Sequence, residues 1–283
     1  MKWLLINLLL LCSLYGEEVP DIRSVEIDLK VPEISNELPG PGKRVKLKLS
    51  KYEQTSLFHI LYLPKNWEKG KKYPVIVEYA GNGPYKNKFG DTSTGEVEGS
   101  VLGYGLTEGK DFIWLCLPYV NKEKQANQKQ WWGDVNATVS YCLNAVNEVC
   151  QNFGGDKENL ILCGFSRGSI ACNFIGLQND EISKLWKAFF CYSHYDGVRK
   201  WNYPESDRKS AFTRLKRLGN RPQFIIHEQS VLETKKYLIG VYPEGNFTFI
   251  DLKFRNHNPT WILRPTEERK KAQAWLHSII LIK

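Results

Sequence analysis

Apolar and polar positions in the first half of the chain follow the two patterns that strands produce. Residues 45–49 and 57–63 alternate apolar and polar side chains, as half-buried strands do. Residues 73–79 and 112–117 are apolar enough for both faces of a strand to be buried. The second pattern is typical of a parallel sheet that helices cover on both sides, so these segments predict the start of an α/β sheet.

In the second half, strand patterns alternate with longer helical ones. A helix is predicted from about residue 135 to residue 153, with Asp134 as its N-cap. Further strands are predicted at residues 160–163, 188–192, 223–227 and 247–254, and further helices at residues 169–177, 231–239 and 266–280. Such alternation predicts a mostly parallel central sheet of about eight strands with helices on both faces.

The N-terminus carries a separate signal. Met1-Lys2 gives a charged start, and residues 3–11 form an apolar run that is too short to span a bilayer. Residues 1–16 therefore predict a signal peptide cleaved near Gly16, an exported protein (periplasmic or extracellular) and no stable membrane insertion; a lipoprotein anchor at Cys12 is the alternative. Residues 17–44, rich in Pro, Gly and charge, predict an extended lead-in with one short strand at residues 25–29, followed by a domain over residues 45–283.

Charge and cysteine content narrow the class of protein. The chain has 39 Lys and Arg against 31 Asp and Glu, and removal of Lys2 with the leader lowers this excess by one. The basic residues are scattered, which does not indicate nucleic-acid binding and instead favours anionic surfaces such as acidic polysaccharide. The cysteines after Cys12 lie among apolar neighbours without a C-x-x-C pair, so they predict buried thiols and no zinc site. One disulfide involving Cys142, Cys150 or Cys172 is the alternative.

One strand-to-helix junction holds a serine between two glycines, in the segment Gly164-Phe-Ser-Arg-Gly168. The apolar run at residues 160–163 precedes it and a helical pattern follows. A tight turn of this kind leaves no room for Cβ atoms two residues either side of the serine, which explains both glycines. The segment predicts a nucleophile elbow with Ser166 at its apex; an ordinary βα turn is the alternative.

A serine hydroxyl becomes a nucleophile only when a base accepts its proton. His257 is the best candidate for that base, because it lies in the loop between the last predicted strand and the last predicted helix. In an open α/β sheet this loop lies at the carboxyl edge, where the elbow also lies. The other histidines are expected to be structural or to lie near strand ends: His59, His194, His227 and His277.

The order of elements, the elbow and the late His257 together resemble the α/β-hydrolase superfamily, over about residues 45–280. Within it the chain resembles secreted bacterial esterases of the feruloyl, acetyl-polysaccharide and polyhydroxyalkanoate depolymerase type, and prolyl-oligopeptidase-like hydrolases. The resemblance implies a serine carboxylic ester hydrolase with Ser166 as nucleophile and His257 as base. It implies an ester substrate, polysaccharide-linked or with an aromatic acyl group, and neither cofactor nor metal.

The resemblance also implies an oxyanion hole built from backbone N–H groups. Arg167, the residue after the nucleophile, supplies one of them. The second is expected from the loop after the third strand, where Asn82 is the first candidate and Gly83 the next. Residues 81–110 form a long Gly-rich stretch that is expected to carry function.

Two adjacent tryptophans, Trp131 and Trp132, directly precede the predicted helix cap at Asp134. Large rings at a cleft suit stacking on sugars or aromatic acyl groups. We predict that they form a wall of the substrate site; packing under a long loop is the alternative.

The acid of the triad is where the sequence departs from the family pattern. A carboxylate is expected after the next-to-last strand, but Gln229 or Ser230 occupies that place. Glu228, one step earlier, is one candidate. Asp196, after the preceding strand, is the other, and we favour it because Gly197 marks a tight turn that can aim its carboxylate. A secreted peptidase is the nearest enzymatic alternative, and a ligand-binding protein that has lost turnover on the same scaffold is the competing class.

Overall fold

The computed structural model describes residues 19–281, so the predicted signal peptide and the Cys12 anchor lie outside the described residues. The strands are β1 (Ile34–Ser35), β2 (Arg44–Leu47), β3 (His59–Tyr62), β4 (Tyr73–Tyr79), β5 (Tyr85–Lys86), β6 (Thr92–Ser93), β7 (Ile113–Leu117), β8 (Gly155–Phe165), β9 (Ala188–Tyr192), β10 (Gln223–Glu228) and β11 (Phe247–Leu252). The α-helices are α1 (Leu102–Thr107), α2 (Val135–Asn152), α3 (Arg167–Phe174), α4 (Asp180–Ser183), α5 (Arg208–Leu215), α6 (Leu232–Val241) and α7 (Glu267–Leu281).

A nine-stranded sheet forms the centre, in the order β1-β2-β3-β7-β4-β8-β9-β10-β11, and β5 pairs with β6 in a separate hairpin. The strand pairs β2–β3 and β3–β7 are antiparallel, and the other neighbours in the large sheet are parallel. The prediction of a mostly parallel sheet is confirmed, with nine strands in place of about eight.

Apolar layers cover both faces of this sheet. Along β4, Val75 and Val77 pack into a layer with α2, α3 and α6, whereas Ile76 packs into a second layer with α1 and α7. Burying an aliphatic side chain of this size contributes about 1.5–3 kcal/mol, so the double-sided burial explains why residues 75–77 of β4 and all of β7 are apolar. The predicted helices on both faces are confirmed.

The lead-in is where the predicted elements differ most. The strand predicted at residues 25–29 is wrong, because this segment pairs with no strand of the sheet. It belongs to an N-terminal strap (residues 19–29), in which a 3-10 turn at Ile22–Ser24 precedes extended chain. The N–H groups of Asp28 and Leu29 both donate to the Leu263 carbonyl, at 3.1 and 3.2 Å. The short strand of the lead-in is β1, which pairs with β2.

The short helix α1 lies within the long Gly-rich stretch and was not predicted. Its sequence contains two glycines, which disfavour helix. The buried Glu78 carboxylate at the end of β4 compensates by accepting the N–H groups of Val101, Leu102 and Gly103 at 2.9–3.1 Å. A side chain distant in sequence therefore caps this helix.

The cysteines of the described range are buried and unpaired, as predicted for buried thiols: Cys116, Cys142, Cys150, Cys163, Cys172 and Cys191. Among residues 19–281 no helix has both the length and the apolar character needed to cross a bilayer.

Candidate active site

Ser166 lies at the sharp turn between β8 and α3, with φ 55° and ψ −112°. This left-handed backbone region is rare for residues other than glycine and is typical of a nucleophile elbow. A Cβ atom on Gly164 would collide with the backbone of Gly168, and one on Gly168 would collide with the Tyr79 carbonyl oxygen. Both glycines are therefore required for the turn that exposes Ser166 to the cavity.

His257 lies in the histidine loop (residues 253–258) between β11 and α7. Its Nε2 atom is 3.0 Å from Ser166 Oγ, which is hydrogen-bond distance. The fully buried Asp91 carboxylate holds this loop by accepting the His257 backbone N–H at 3.1 Å and the Asn256 side-chain amide at 2.9 Å. Asp91 comes from the stretch between β5 and β6, and sequence reasoning missed it because no local pattern links it to residue 257.

Glu228, the last residue of β10, lies on the other side of the imidazole. Its Oε1 atom is 2.7 Å from His257 Nδ1. The buried Ser193 hydroxyl also contacts both groups, at 3.1 Å from Glu228 Oε1 and 2.9 Å from His257 Nδ1. Burial by itself raises the pKa of Glu228, but the hydrogen bond and charge of His257 outweigh it and lower the pKa to about 2. Glu228 is therefore ionised where it meets the ring.

The preference for Asp196 over Glu228 is wrong. Asp196 is almost fully buried, and its two oxygens pair with Arg214 of α5, at 2.9 Å from Nε and 3.2 Å from Nη2. Gly197 does form the expected tight turn, with φ 81°. That turn directs the carboxylate toward α5 and away from His257, and α5 was not predicted from the sequence.

Two residues that line the same cavity as Ser166 have backbone N–H groups without a protein acceptor in the described part of the chain. These residues are Asn82 and Arg167. Gly83, the alternative donor, is not available because its N–H donates to the Lys129 carbonyl at 3.1 Å. The geometry therefore favours Asn82 in the β4 loop (residues 80–84).

The cavity has a volume of about 350 Å³ and aromatic walls. Trp131 and Trp201 form one wall, with ring centroids 5.4 Å apart, and Tyr85 and Phe165 flank the His257 ring. Trp131 therefore lines the same cavity as Ser166, and its role as a substrate wall stays a prediction.

Trp132 does not line this cavity. It is 4% exposed and stacks on Phe174, with a centroid distance of 4.4 Å. The prediction of Trp132 as a substrate wall is wrong, because successive side chains point in different directions and this one enters the core.

The remaining histidines do not reach Ser166. Burial lowers the pKa of His59 and His227 to about 4 and that of His194 to about 3, which keeps these rings neutral near pH 7. His59 contacts the Tyr141 hydroxyl at 2.9 Å, and His194 packs against His257 with ring centroids 5.1 Å apart. Of these rings, His194 alone shares the cavity with His257.

No protein-family model matches this sequence, and a search of curated proteins found no match. Solved structures do match. A thermostable esterase is 14% identical, with a TM-score of 0.52, and the match covers 83% of this chain and 62% of the esterase. A fungal esterase from Rhizomucor miehei is 13% identical, with a TM-score of 0.56, and the match covers 89% of this chain and 85% of the esterase. An acylaminoacyl peptidase from Pyrococcus horikoshii is 15% identical, with a TM-score of 0.51, and the match covers 78% of this chain and 38% of the peptidase.

These comparisons establish the fold of the chain as that of the α/β-hydrolases. The chain spans less than two thirds of the length of the first solved structures, with 62% of the thermostable esterase and 38% of the peptidase.

Proposed function

We propose that the protein is a serine hydrolase of carboxylic esters, with Ser166, His257 and Glu228 as its catalytic triad. The observation that carries the proposal is one continuous line of contacts. Ser166 Oγ is 3.0 Å from His257 Nε2, and His257 Nδ1 is 2.7 Å from Glu228 Oε1. Ser166, His257 and Glu228 line one cavity, which Asn82 and Arg167 also line. The backbone N–H groups of Asn82 and Arg167 have no protein acceptor within residues 19–281.

In the proposed reaction Ser166 Oγ attacks the ester carbonyl carbon while His257 Nε2 takes its proton. The N–H groups of Asn82 and Arg167 donate to the oxygen that becomes negative. His257 then gives the proton to the leaving alcohol, which leaves an acyl group on Ser166. Water, activated by His257, attacks that acyl group and releases the acid. Glu228 keeps the imidazole tautomer and stabilises the imidazolium in both steps.

The aromatic wall supports a substrate with a flat part. Trp131 and Trp201 line the cavity that Ser166 also lines, and aromatic rings at such a place suit an aromatic acyl group or a sugar ring. We therefore propose an ester that is polysaccharide-linked or carries an aromatic acyl group. Export through the N-terminal signal sequence is part of the same proposal. The exported chain would keep 38 Lys and Arg against 31 Asp and Glu, a net charge of +7 that favours contact with anionic polysaccharide.

Covalent labelling with a fluorophosphonate tests the nucleophile. We expect the folded protein to be labelled once, at Ser166, and Ser166→Ala to lose the label. Ser140→Ala, which changes an exposed serine on α2, is the matched control and should label as the unchanged protein does. Absence of label on the folded protein would refute the serine hydrolase.

A substrate panel separates ester from peptide hydrolysis. Short-chain aryl esters, a hydroxycinnamate ester, an acetylated polysaccharide and a peptide anilide should be compared with the same enzyme sample. The ester proposal requires kcat/KM to be highest for an ester, and faster cleavage of the anilide would replace it with a peptidase.

A further inference from the structure

The side chain of Arg167 is buried beneath the candidate active site and binds the backbone of the loops around it. The residue is 1% exposed, and its guanidinium lies over the ring of Tyr119, 3.9 Å from the ring centroid. Its terminal nitrogens donate to backbone carbonyls of three separate loops: Gly81 at 2.9 Å, Gly95 at 3.2 Å, Trp131 at 2.8 Å and Gln128 at 3.3 Å. One buried cation therefore ties together the backbone around Ser166.

This cation has no carboxylate partner. Among residues 19–281 no ion pair within 4.0 Å involves Arg167, whereas the equally buried Arg214 pairs with Asp196. Burial lowers the pKa of Arg167 to about 10, which leaves the group protonated near pH 7. Burying a charge without an ion-pair partner costs free energy. We therefore looked for a role of this charge among the backbone groups that it contacts.

Of the four acceptors, the Gly81 carbonyl connects the Arg167 guanidinium with the proposed oxyanion hole. It belongs to the same peptide unit as the N–H of Asn82, a residue that lines the cavity. A cation that binds the oxygen of a peptide polarises the whole unit and makes its N–H a stronger donor. The backbone N–H of Arg167 is the other proposed oxyanion donor, so this single residue acts on both donors.

The orientation of that peptide is fixed as well. The Asn82 Oδ1 atom accepts the Trp131 N–H at 2.8 Å, and the Trp131 carbonyl accepts from Arg167. The contacts among Asn82, Trp131 and Arg167 close into a ring, which prevents the β4 loop from turning its N–H away from the site.

We propose that the Arg167 guanidinium is a positioning residue that holds and polarises the Gly81–Asn82 peptide, so that the Asn82 N–H stabilises the oxyanion of the acyl-transfer reaction. The inference rests on the proposed function. It adds a role for a side chain that does not itself touch the substrate.

The test compares Arg167→Lys and Arg167→Met with Arg214→Lys, which changes the other buried arginine. Two quantities are measured for each folded variant: kcat/KM for an aryl ester, and the Kd of an aryl boronic acid, which forms a tetrahedral adduct on the serine. Removal of one oxyanion donor costs about 10²–10³-fold in rate, so Arg167→Met should lose about that factor in kcat/KM with little change in KM.

The boronic acid provides the readout that a merely structural role would not move. Its Kd should rise for Arg167→Met in step with the loss of rate, and less for Arg167→Lys, which keeps the charge. Arg214→Lys should melt at a lower temperature and keep the boronic acid affinity of the unchanged protein. Folded Arg167→Met that binds the boronic acid as tightly as the unchanged protein would overturn the inference.

Failure of the proposed function gives a different result, since the unchanged protein would then neither take the fluorophosphonate nor hydrolyse any ester. If the Arg167 variants do not fold, Tyr119→Leu and Tyr119→Phe replace them. Tyr119→Leu removes the ring beneath the guanidinium and should weaken boronic acid binding relative to Tyr119→Phe, which keeps the ring. Equal affinities in that pair would overturn the inference too.

Discussion

At the scale of single residues, the length of a side chain explains how Glu228 meets His257. Glu228 ends β10, one position before the place where the family pattern expects an aspartate. The glutamate carries one more methylene than aspartate, and its carboxylate lies 2.7 Å from His257 Nδ1. The earlier position and the longer side chain therefore compensate for each other.

Replacement of the two candidate acids should affect kcat very differently. Glu228→Gln removes the charge that orients the imidazole and should lower kcat for an aryl ester by about 10⁴-fold. Asp196→Asn breaks a buried ion pair and should lower the free energy of unfolding by about 3 kcal/mol, with kcat within a few-fold. Steady-state kinetics and urea unfolding of both variants measure this. An equal kcat in the two variants would contradict the assignment of Glu228.

The lowered pKa of Glu228 also predicts a pH dependence of stability. A carboxylate whose pKa falls from 4.5 to about 2 on folding stabilises the folded state above pH 4.5, and this contribution is lost as the pH falls toward 2. The difference in free energy of unfolding between the unchanged protein and Glu228→Gln should therefore shrink from pH 4.5 down to pH 2. Urea titrations at several acidic pH values measure it, and a difference that grows toward low pH would be the contrary result.

The sequence located the loops of the site better than it identified the contacts between them. His257 could be predicted because the loop after the last strand of a parallel sheet must lie at the carboxyl edge. The choice between Asp196 and Glu228 depended on Arg214, which lies on a helix that the pattern did not reveal. Asp91 acts on a residue 166 positions away. Such contacts arise only when the chain has folded.

At the scale of elements, the elbow depends on the close approach of α3 to two strands. Gly168→Ala puts a methyl group against the Tyr79 carbonyl of β4, and we expect it to lower the free energy of unfolding by about 3 kcal/mol. It should also lower kcat by about 10²-fold, because Ser166 Oγ moves relative to His257. Thermal melts and ester hydrolysis measure the two effects.

Gly240→Ala is the matched control for this substitution. Gly240 lies on α6 with no atom within 4 Å of an added Cβ, so alanine should stabilise the helix by about 0.5–1 kcal/mol. Its kcat should not change. If Gly168→Ala were as harmless as Gly240→Ala, the steric explanation of the elbow would be wrong.

Elements with a strong apolar pattern were predicted well, and those that depend on distant contacts were not. The bounds of β4 and β9 coincide with the predicted ranges because both faces of these strands are buried. The capping of α1 by Glu78 and the extended form of the N-terminal strap depend on tertiary hydrogen bonds, which leave no periodic pattern in the sequence.

At the scale of the whole molecule, the N-terminal strap contacts both the histidine loop beside His257 and the last helix, α7. The Ile22 N–H donates to the Asn256 side chain at 2.8 Å, and the Arg255 N–H donates to the Pro20 carbonyl at 3.1 Å. Farther along, Asp28 pairs with Arg269 of α7. The strap therefore binds the histidine loop through Asn256 and Arg255, and the buried Asp91 carboxylate binds the same loop through separate hydrogen bonds.

A chain that starts at Lys30 lacks the strap and should lose activity. The histidine loop would be held on one side only, and a shift of about 1 Å at His257 costs about 10²-fold in kcat. A chain that starts at Val19 keeps the contacts that residues 19–29 make and is the control, with kcat expected to equal that of the longer chain. Ester hydrolysis and melting temperature of the two chains measure this, and full activity of the Lys30 chain would show that the strap does not position His257.

The burial of the free cysteines has a practical consequence. Cys116, Cys163 and Cys191 lie on three strands of the large sheet, while Cys142, Cys150 and Cys172 lie on α2 and α3. A thiol reagent can reach them only when the molecule opens, so the chain that starts at Val19 contains its own reporter of unfolding. If the sheet and its helices open together, the thiols should react at one common rate that follows the free energy of unfolding. Two separated rates would identify the part of the molecule that opens first.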